Sequence, residues 1–213
     1  KISVILADDH AVVRMGFRLL LQDTKDITVV GEAESGGSAL ELLNCITCDV
    51  IVADLSLGDI NGIEMIRRVR NSDIETPILI VSMHEEELYA ERALKAGARG
   101  YFMKTAPPAE LLNGIRQVVR NEVALSRDQQ DRLLRRVVEG GPSDDLSPYS
   151  VLSNRELEIF ELLGQGTATR LIAEKLFISV KTVEAHYAHI KRKLGVQTQP
   201  QLLRLAFNWL NEL

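Results

Sequence analysis

Three carboxylates stand at the ends of two short apolar runs. Residues 2–7, Ile-Ser-Val-Ile-Leu-Ala, close in Asp8-Asp9, and Val50-Ile51-Val52-Ala53 closes in Asp54. Ser82 ends a further apolar run and Lys104 follows another. Short continuous apolar runs bounded by turn residues read as buried parallel strands. In an open parallel sheet, ligands gather outside the carboxyl ends of the strands. Crowded carboxylates cannot all stay ionised without a partner. A hard divalent cation, Mg²⁺, is the natural neutraliser, held by carboxylates, a carbonyl and water. A carboxylate nucleophile, a hydroxyl, an ammonium and a metal form a set suited to binding and accepting a phosphoryl group. One strand-end Asp alone is often just a turn former; only the whole set points to phosphoryl chemistry.

The elements that must position this set alternate along the first 120 residues. Strands are expected over residues 2–7, 27–34, 50–54, 77–82 and 100–103. Helices are expected over 11–21, 37–43, 62–70, 85–96 and 108–120, the first with Val12, Met15 and Leu19 in its apolar stripe. Such alternation predicts a doubly wound α/β domain with a five-stranded parallel sheet, covering residues 1–121. Residues 122–148 break the pattern and are expected to be a partly helical linker. In it, residues 127–139 form a charged helix, and Gly140-Gly141-Pro142-Ser143-Asp144-Asp145 a flexible joint. From residue 149 to 213 the pattern is all helix. Ser153 and Glu156 make a capping box, and further helices are expected over 169–177, 180–194 and 199–210.

The helix over 180–194 has two distinct faces. Val183, Tyr187, Ile190 and Leu194 share one at helical spacing and belong to a core. Lys181, Ala185, Ala188, His189 and Arg192 occupy the other, flanked by Thr182, His186 and Lys193 on one side and Glu184 and Lys191 on the other. Small residues amid basic and hydroxyl groups suit a major groove of double-stranded DNA, the alanines approaching bases and the rim reaching phosphates. The helix, short turn, helix order fits the same use. An ordinary amphipathic bundle would show the same apolar back, and charge alone leaves both readings open.

Charge is unevenly spread over the 213 residues. Residues 1–120 carry 13 basic and 18 acidic side chains, and residues 151–213 carry 8 and 6. An acidic front and a mildly basic tail suggest two tasks, with nucleic acid at the tail. No apolar run approaches the ~20 residues of a membrane helix, and the first residues lack the basic flank of a secretory signal. Only Cys45 and Cys48 are present, so no disulfide framework is expected and a reducing cytoplasm fits. The Cys45-Ile46-Thr47-Cys48 spacing has no second ligand pair and reads as incidental.

Asp8-Asp9, Asp54, Ser82, Tyr101 and Lys104 together resemble the receiver domain of response regulators in type, order and spacing. Leu152-Ser153-Asn154-Arg155-Glu156, Ile172-Ala173-Glu174-Lys175-Leu176 and residues 179–186 and 193–196 resemble the LuxR/NarL-type helix-turn-helix. The whole chain thus resembles the NarL/FixJ family of two-component response regulators. The resemblance implies that Asp54 takes a phosphoryl group from a sensor histidine kinase. It implies that Asp8, Asp9, Asp54 and the Ser56 carbonyl hold Mg²⁺, and that Lys104 pairs with the phosphoryl group. Ser82 would bond to it on arrival, and Tyr101 would then swing inward. At the tail, Glu184, Ala185 and Ala188 would reach bases, with Lys181, Thr182, His186, Lys191 and Lys193 on the backbone. It further implies a homodimer when phosphorylated, with RNA polymerase as a further partner, and no enzyme activity beyond its own phosphorylation and dephosphorylation.

The chain departs from the family pattern in places. Leu57-Gly58 replaces a usual Met-Pro, and Ala168 and Leu171 replace a capping pair, for which Thr167 or Thr169 would substitute. The Lys104–Thr105 peptide is expected to be cis, as commonly after this lysine in receivers. Two other functions stay open: a phosphorylation-independent DNA binder using the receiver for docking, and an Asp-nucleophile phosphatase. The latter usually carries Asp-x-Asp, which Asp54-Leu55-Ser56 lacks.

Overall fold

The computed structural model describes residues 1–138 and 148–211. The joint expected over 140–145 lies outside the described residues. The chain divides into two compact units, Lys1–Gly140 and Gly141–Leu213, and each is described by itself.

The first unit alternates β1 (Ile2–Ala7), α1 (Ala11–Gln22), β2 (Ile27–Ala33), α2 (Gly36–Cys45), β3 (Val50–Ala53), α3 (Gly62–Asn71), β4 (Ile78–Ser82), α4 (Glu86–Ala96), β5 (Gly100–Met103) and α5 (Pro108–Val119). The strands form one parallel sheet in the order β2-β1-β3-β4-β5. Every residue of β3 and β4 is buried, as expected for strands covered on both faces. Alternate side chains divide between the two layers. Val4, Leu6, Val50, Val52, Leu79, Val81 and Phe102 pack with Leu21 of α1 and Leu111, Ile115 and Val118 of α5. Ile63, Ile66 and Val69 of α3 and Ala90 and Ala93 of α4 are likewise buried.

The stripe expected for α1 is a correction. Val12, Met15 and Leu19 are exposed, Val12 by 75%, and the helix turns Val13, Phe17, Leu20 and Leu21 toward the domain. Apolar residues lie on more than one side of this helix, so periodicity alone did not choose the inward face.

Residues 122–132, expected as the start of a linker, pack against β5 and α4. Ala124 forms a parallel bridge with Gly100. Tyr101 N–H donates to Ala124 O at 2.9 Å and Ala124 N–H to Arg99 O at 2.9 Å. The segment thereby pairs the open edge of β5. Then α6 (Arg127–Val138) begins, with Ser126 Oγ accepting from Gln129 N–H at 3.2 Å. Glu86 of α4 accepts from Ser126 N–H at 3.1 Å, and Arg132 pairs with Glu87.

Among its described residues the second unit has a short 3-10 turn (Pro148–Val151) and four helices, α7 (Asn154–Gly164), α8 (Thr169–Lys175), α9 (Val180–Leu194) and α10 (Gln199–Asn211). The capping box opens α7 as expected, Ser153 Oγ accepting from Glu156 N–H and Glu156 from Ser153 N–H. A Cβ on Gly164 would meet Ala206 O at 2.6 Å, so this glycine lets α10 close on α7. Tyr149, Phe160 and Trp209 pack with ring centroids 5.2 Å apart. Ala168 stands at the N-cap of α8 with no side-chain cap. The substitute expected from Thr169 is not made; its hydroxyl is turned to Tyr187 Oη at 3.5 Å. No described helix is long and apolar enough to cross a membrane.

Candidate functional site

Parallel pairing of β1 with β3 sets Ala7 beside Ala53, which brings the carboxylates after both strands together. Asp8 and Asp54 are each 4% exposed. One ligand atom from each of Asp8, Asp9, His10 and Asp54 lies within 4.8 Å of the others. Lys104, carried to the same edge by β5, places Nζ 2.6 Å from Asp8 Oδ2 and 2.7 Å from Asp54 Oδ2. The other Asp54 oxygen accepts from Leu55 N–H at 2.7 Å. Burial raises the Asp8 pKa above the ordinary carboxylate value, and the hydrogen bond from Lys104 only partly offsets it. Burial also works against the Lys104 charge, but the Asp54 carboxylate and the bonds to both acids outweigh it and raise the pKa. The centre is therefore a desolvated cation between two acids, and its hard oxygen donors fit a divalent cation.

The loop after Asp54 is shaped by two glycines. A Cβ on Gly62 would meet Asp54 O at 2.5 Å, so only glycine lets α3 start this close to the acid. Gly58 has φ 75°, and Asp59 N–H donates across it to Leu57 O at 2.9 Å. That is the pattern of a γ-turn, rare because most residues resist positive φ. Leu57 fills a buried position beside it, only 1% exposed. Asp59 then accepts from Gly36 N–H and Gly37 N–H, both at 2.8 Å. Its carboxylate thus anchors the loop to the start of α2, where the helix dipole favours negative charge. Despite burial, which works the other way, those backbone bonds hold the Asp59 pKa below the usual carboxylate value.

Ser82 ends β4 fully buried, and Lys104 N–H donates to its carbonyl at 2.7 Å. Tyr101 is also fully buried, its hydroxyl donating to His84 O at 2.8 Å. It is therefore already inside, where the resemblance expected an inward movement. The imidazole of His84 lies 3.0 Å from Ser56 Oγ through Nε2. Sequence reasoning missed His10 and His84. The first was visible as a ligand type directly after Asp9; the second, two residues past Ser82, carries no periodic signal.

Among the described residues no peptide bond is cis, which corrects the expectation for Lys104–Thr105. A cis bond without proline costs about 2.5–4 kcal/mol. Here a trans turn suffices, with Ala106 N–H donating to Met103 O at 2.9 Å before Pro107 and Pro108 start α5. Burial pushes the Cys48 thiol up to about 11, the opposite of a reactive cysteine.

On α9, Val183, Tyr187 and Ile190 are buried. Lys181, Thr182, Glu184, Ala185, Ala188, His189, Arg192 and Lys193 are exposed, while His186 and Lys191 are half-buried. Ser179 caps the helix, its Oγ accepting from Thr182 N–H at 3.0 Å. Lys193 donates to Glu156 at 2.6 Å, so this cation is held back toward α7. Burial lowers the His186 pKa below the ordinary imidazole value.

Residues 4–116 match the family described as response regulator receiver domain, and residues 150–206 that described as bacterial regulatory proteins, luxR family. The chain is 40% identical over 209 residues to the oxygen regulatory protein NreC of Staphylococcus haemolyticus (strain JCSC1435), covering 96% of both chains. It is 39% identical to NreC of Staphylococcus aureus (strain JH9), with the same coverage. Among solved structures it is similar to the response regulator ChrA of a heme-sensing two-component system, at 35% identity and TM-score 0.53 over 98% of each chain. It is also similar to RcsB from Salmonella enterica serovar Typhimurium, bound to promoter rprA in the presence of phosphomimetic BeF3-. That match has 26% identity and TM-score 0.63, covering 97% of this chain and 98% of the other. A parallel sheet whose strand ends gather acids around a lysine, followed by four helices with a basic-faced α9, agrees with both matched families: the chain belongs to the two-component response regulators of the NarL/FixJ type, which control transcription.

Proposed function

We propose that Asp54 is the phosphoacceptor and that its phosphorylation governs DNA binding by α9. The observation that carries this is the Lys104 ammonium 2.7 Å from Asp54 inside a cluster of acids. A phosphohistidine of a sensor kinase is the donor: its P–N bond breaks as a P–O bond to an Asp54 oxygen forms, and the leaving imidazole takes up a proton. Asp8, Asp9, Asp54 and the Ser56 carbonyl would hold Mg²⁺, which when bound supplies charge to neutralise the phosphoryl oxygens. Lys104 turns from the carboxylates to the new dianion. Ser82 offers its hydroxyl to it.

The same reading gives the signal a route. Ser82 and Tyr101 both bond within the Ser82–His84 corner that leads into α4. In the first turn of α4, directly after that corner, Glu86 and Glu87 hold residues 126 and 132. A shift at the corner therefore reaches the segment that leads to the second unit. The roles of Lys181, Thr182, Glu184, Ala185, His186, Ala188, His189, Lys191, Arg192 and Lys193 as DNA contacts rest on their place around the outward side of α9. With only a small positive charge, one such module binds weakly, and pairing two on adjacent half-sites supplies effective concentration. Leu203 and Phe207, exposed on α10, support a homodimer contact there. Val12, Met15 and Leu19, exposed on α1, support a second protein partner. DNA as the target puts the work in the cytoplasm.

The test is acetyl phosphate with Mg²⁺, read on a phosphate-affinity gel and by promoter binding. Wild type should shift and gain DNA affinity; Asp54→Asn should do neither. The buried Tyr101 supports a second reading, in which DNA binding needs no phosphorylation. Equal promoter affinity for wild type and Asp54→Asn in the presence of acetyl phosphate would select it.

A further inference from the structure

We propose that Glu156, His186 and His189 form a binding site for a divalent transition-metal ion of the zinc class. His186 and His189 are three residues apart on α9 and share a face, while Glu156 lies in the first turn of α7. One ligand atom from each lies within 4.8 Å of the others. The two rings are 6.5 Å apart and close to perpendicular, at 85°, so a nitrogen of each can aim at one point without stacking.

A second observation points to a ligand. Nδ1 of His186 is buried and, among the described residues, has no hydrogen-bond partner. Buried polar atoms are satisfied in the great majority of cases, and an exception calls for an ion or a water. The donor types select the ion. Two imidazoles and one carboxylate are the set used by zinc sites that keep a fourth position open. The cluster around Asp54, three carboxylates beside the single imidazole of His10, is richer in oxygen and suits a harder cation.

Geometry and charge set the requirements. Tetrahedral ligands at zinc distances lie about 3.3 Å apart, a spacing inside the 4.8 Å that bounds this cluster. His189 is exposed and free to move inward. Glu156 is pre-oriented, accepting from Ser153 N–H at 2.7 Å, the kind of supporting bond that fixes a ligand. Lys193 holds the same carboxylate at 2.6 Å and is the cation the metal must share it with or displace. Its side chain is 36% exposed, so it can turn to water. Arg155, the other nearby cation, is engaged with Glu158 and the Leu176 carbonyl. A bound ion would tie α9 to the start of α7.

The experiment uses the full chain carrying Cys45→Ser and Cys48→Ser, in excess Mg²⁺ to occupy the acidic pocket. Zn²⁺ is titrated by calorimetry and its effect on thermal unfolding followed through Trp209, the single tryptophan, which lies in the second unit. The expected result is one Zn²⁺ per chain and a raised melting temperature. In His189→Ala, affinity should fall by at least the roughly 10–100-fold that loss of even a supporting partner costs. The Zn²⁺-induced shift should vanish while the melt without Zn²⁺ is unchanged. Unchanged affinity in His189→Ala, absence of a Trp209 shift in the parent, or loss of binding in Asp9→Asn instead would overturn the site. The last outcome would put the ion in the acidic pocket.

Discussion

Gly58 holds a φ of 75°, a value closed to proline and costly for any residue with a Cβ. Restoring the family's more usual residue with Gly58→Pro therefore breaks the loop instead of repairing it. The variant should lose at least about 1–2 kcal/mol of receiver stability and slow phosphoryl uptake from acetyl phosphate. Wild-type stability in urea denaturation would show the turn to be unimportant. Phe177 is a second strained position, at φ 52° and 71% exposed. A bulky residue there is a true outlier, and asparagine tolerates the left-handed region better. Phe177→Asn should raise the stability of the helix-turn-helix unit by about 1 kcal/mol, seen as a later Trp209 transition. An earlier transition would mean the exposed ring holds the turn in place.

At the scale of elements, α7 and the α4–α6 contact carry the predictions. Burial opposes ionisation of Glu156, yet its bonds to Lys193 and Ser153 win and lower its pKa. A carboxylate whose pKa is lower when folded adds stability above its unfolded value, near 4.5, and loses it as pH falls through the folded value. The second unit should thus lose stability below about pH 4.5, and Glu156→Gln should flatten that acid limb in Trp209 melts. A Cβ on Gly100 would meet Ala124 O at 2.5 Å. Gly100→Ala should therefore lift residues 122–132 from β5 and α4, raising their hydrogen exchange while residues 50–56 stay protected. Unchanged exchange in residues 124–132 would mean the segment tolerates the clash by shifting as a whole. The exposed side of α6 is strongly charged, and a lone helix of this length is marginal in water. Its docking on α4 is what makes it an extension of the receiver, and no local pattern in residues 122–132 announced that.

At the scale of the whole molecule, the proposed function would let an acidic receiver and a basic tail on one chain use phosphorylation to change how many α9 helices meet DNA at once. Beryllofluoride with Mg²⁺ should raise the dimer fraction in sedimentation, and promoter affinity with it. The dimer's affinity should fall more steeply with salt than the monomer's, because more phosphates are neutralised. Equal salt slopes would mean that only one helix reaches DNA in either state. The sequence by itself determined the strand–helix alternation, the acids at the strand ends and the two faces of α9, because each is a local period or a residue type at an element's end. Only the tertiary structure decided which side of α1 faces inward, that Tyr101 is already buried, that Ala124 pairs with β5, and that Glu156 meets His186 and His189. Those outcomes join residues far apart in the chain, and packing between elements, not the period within one, chooses them.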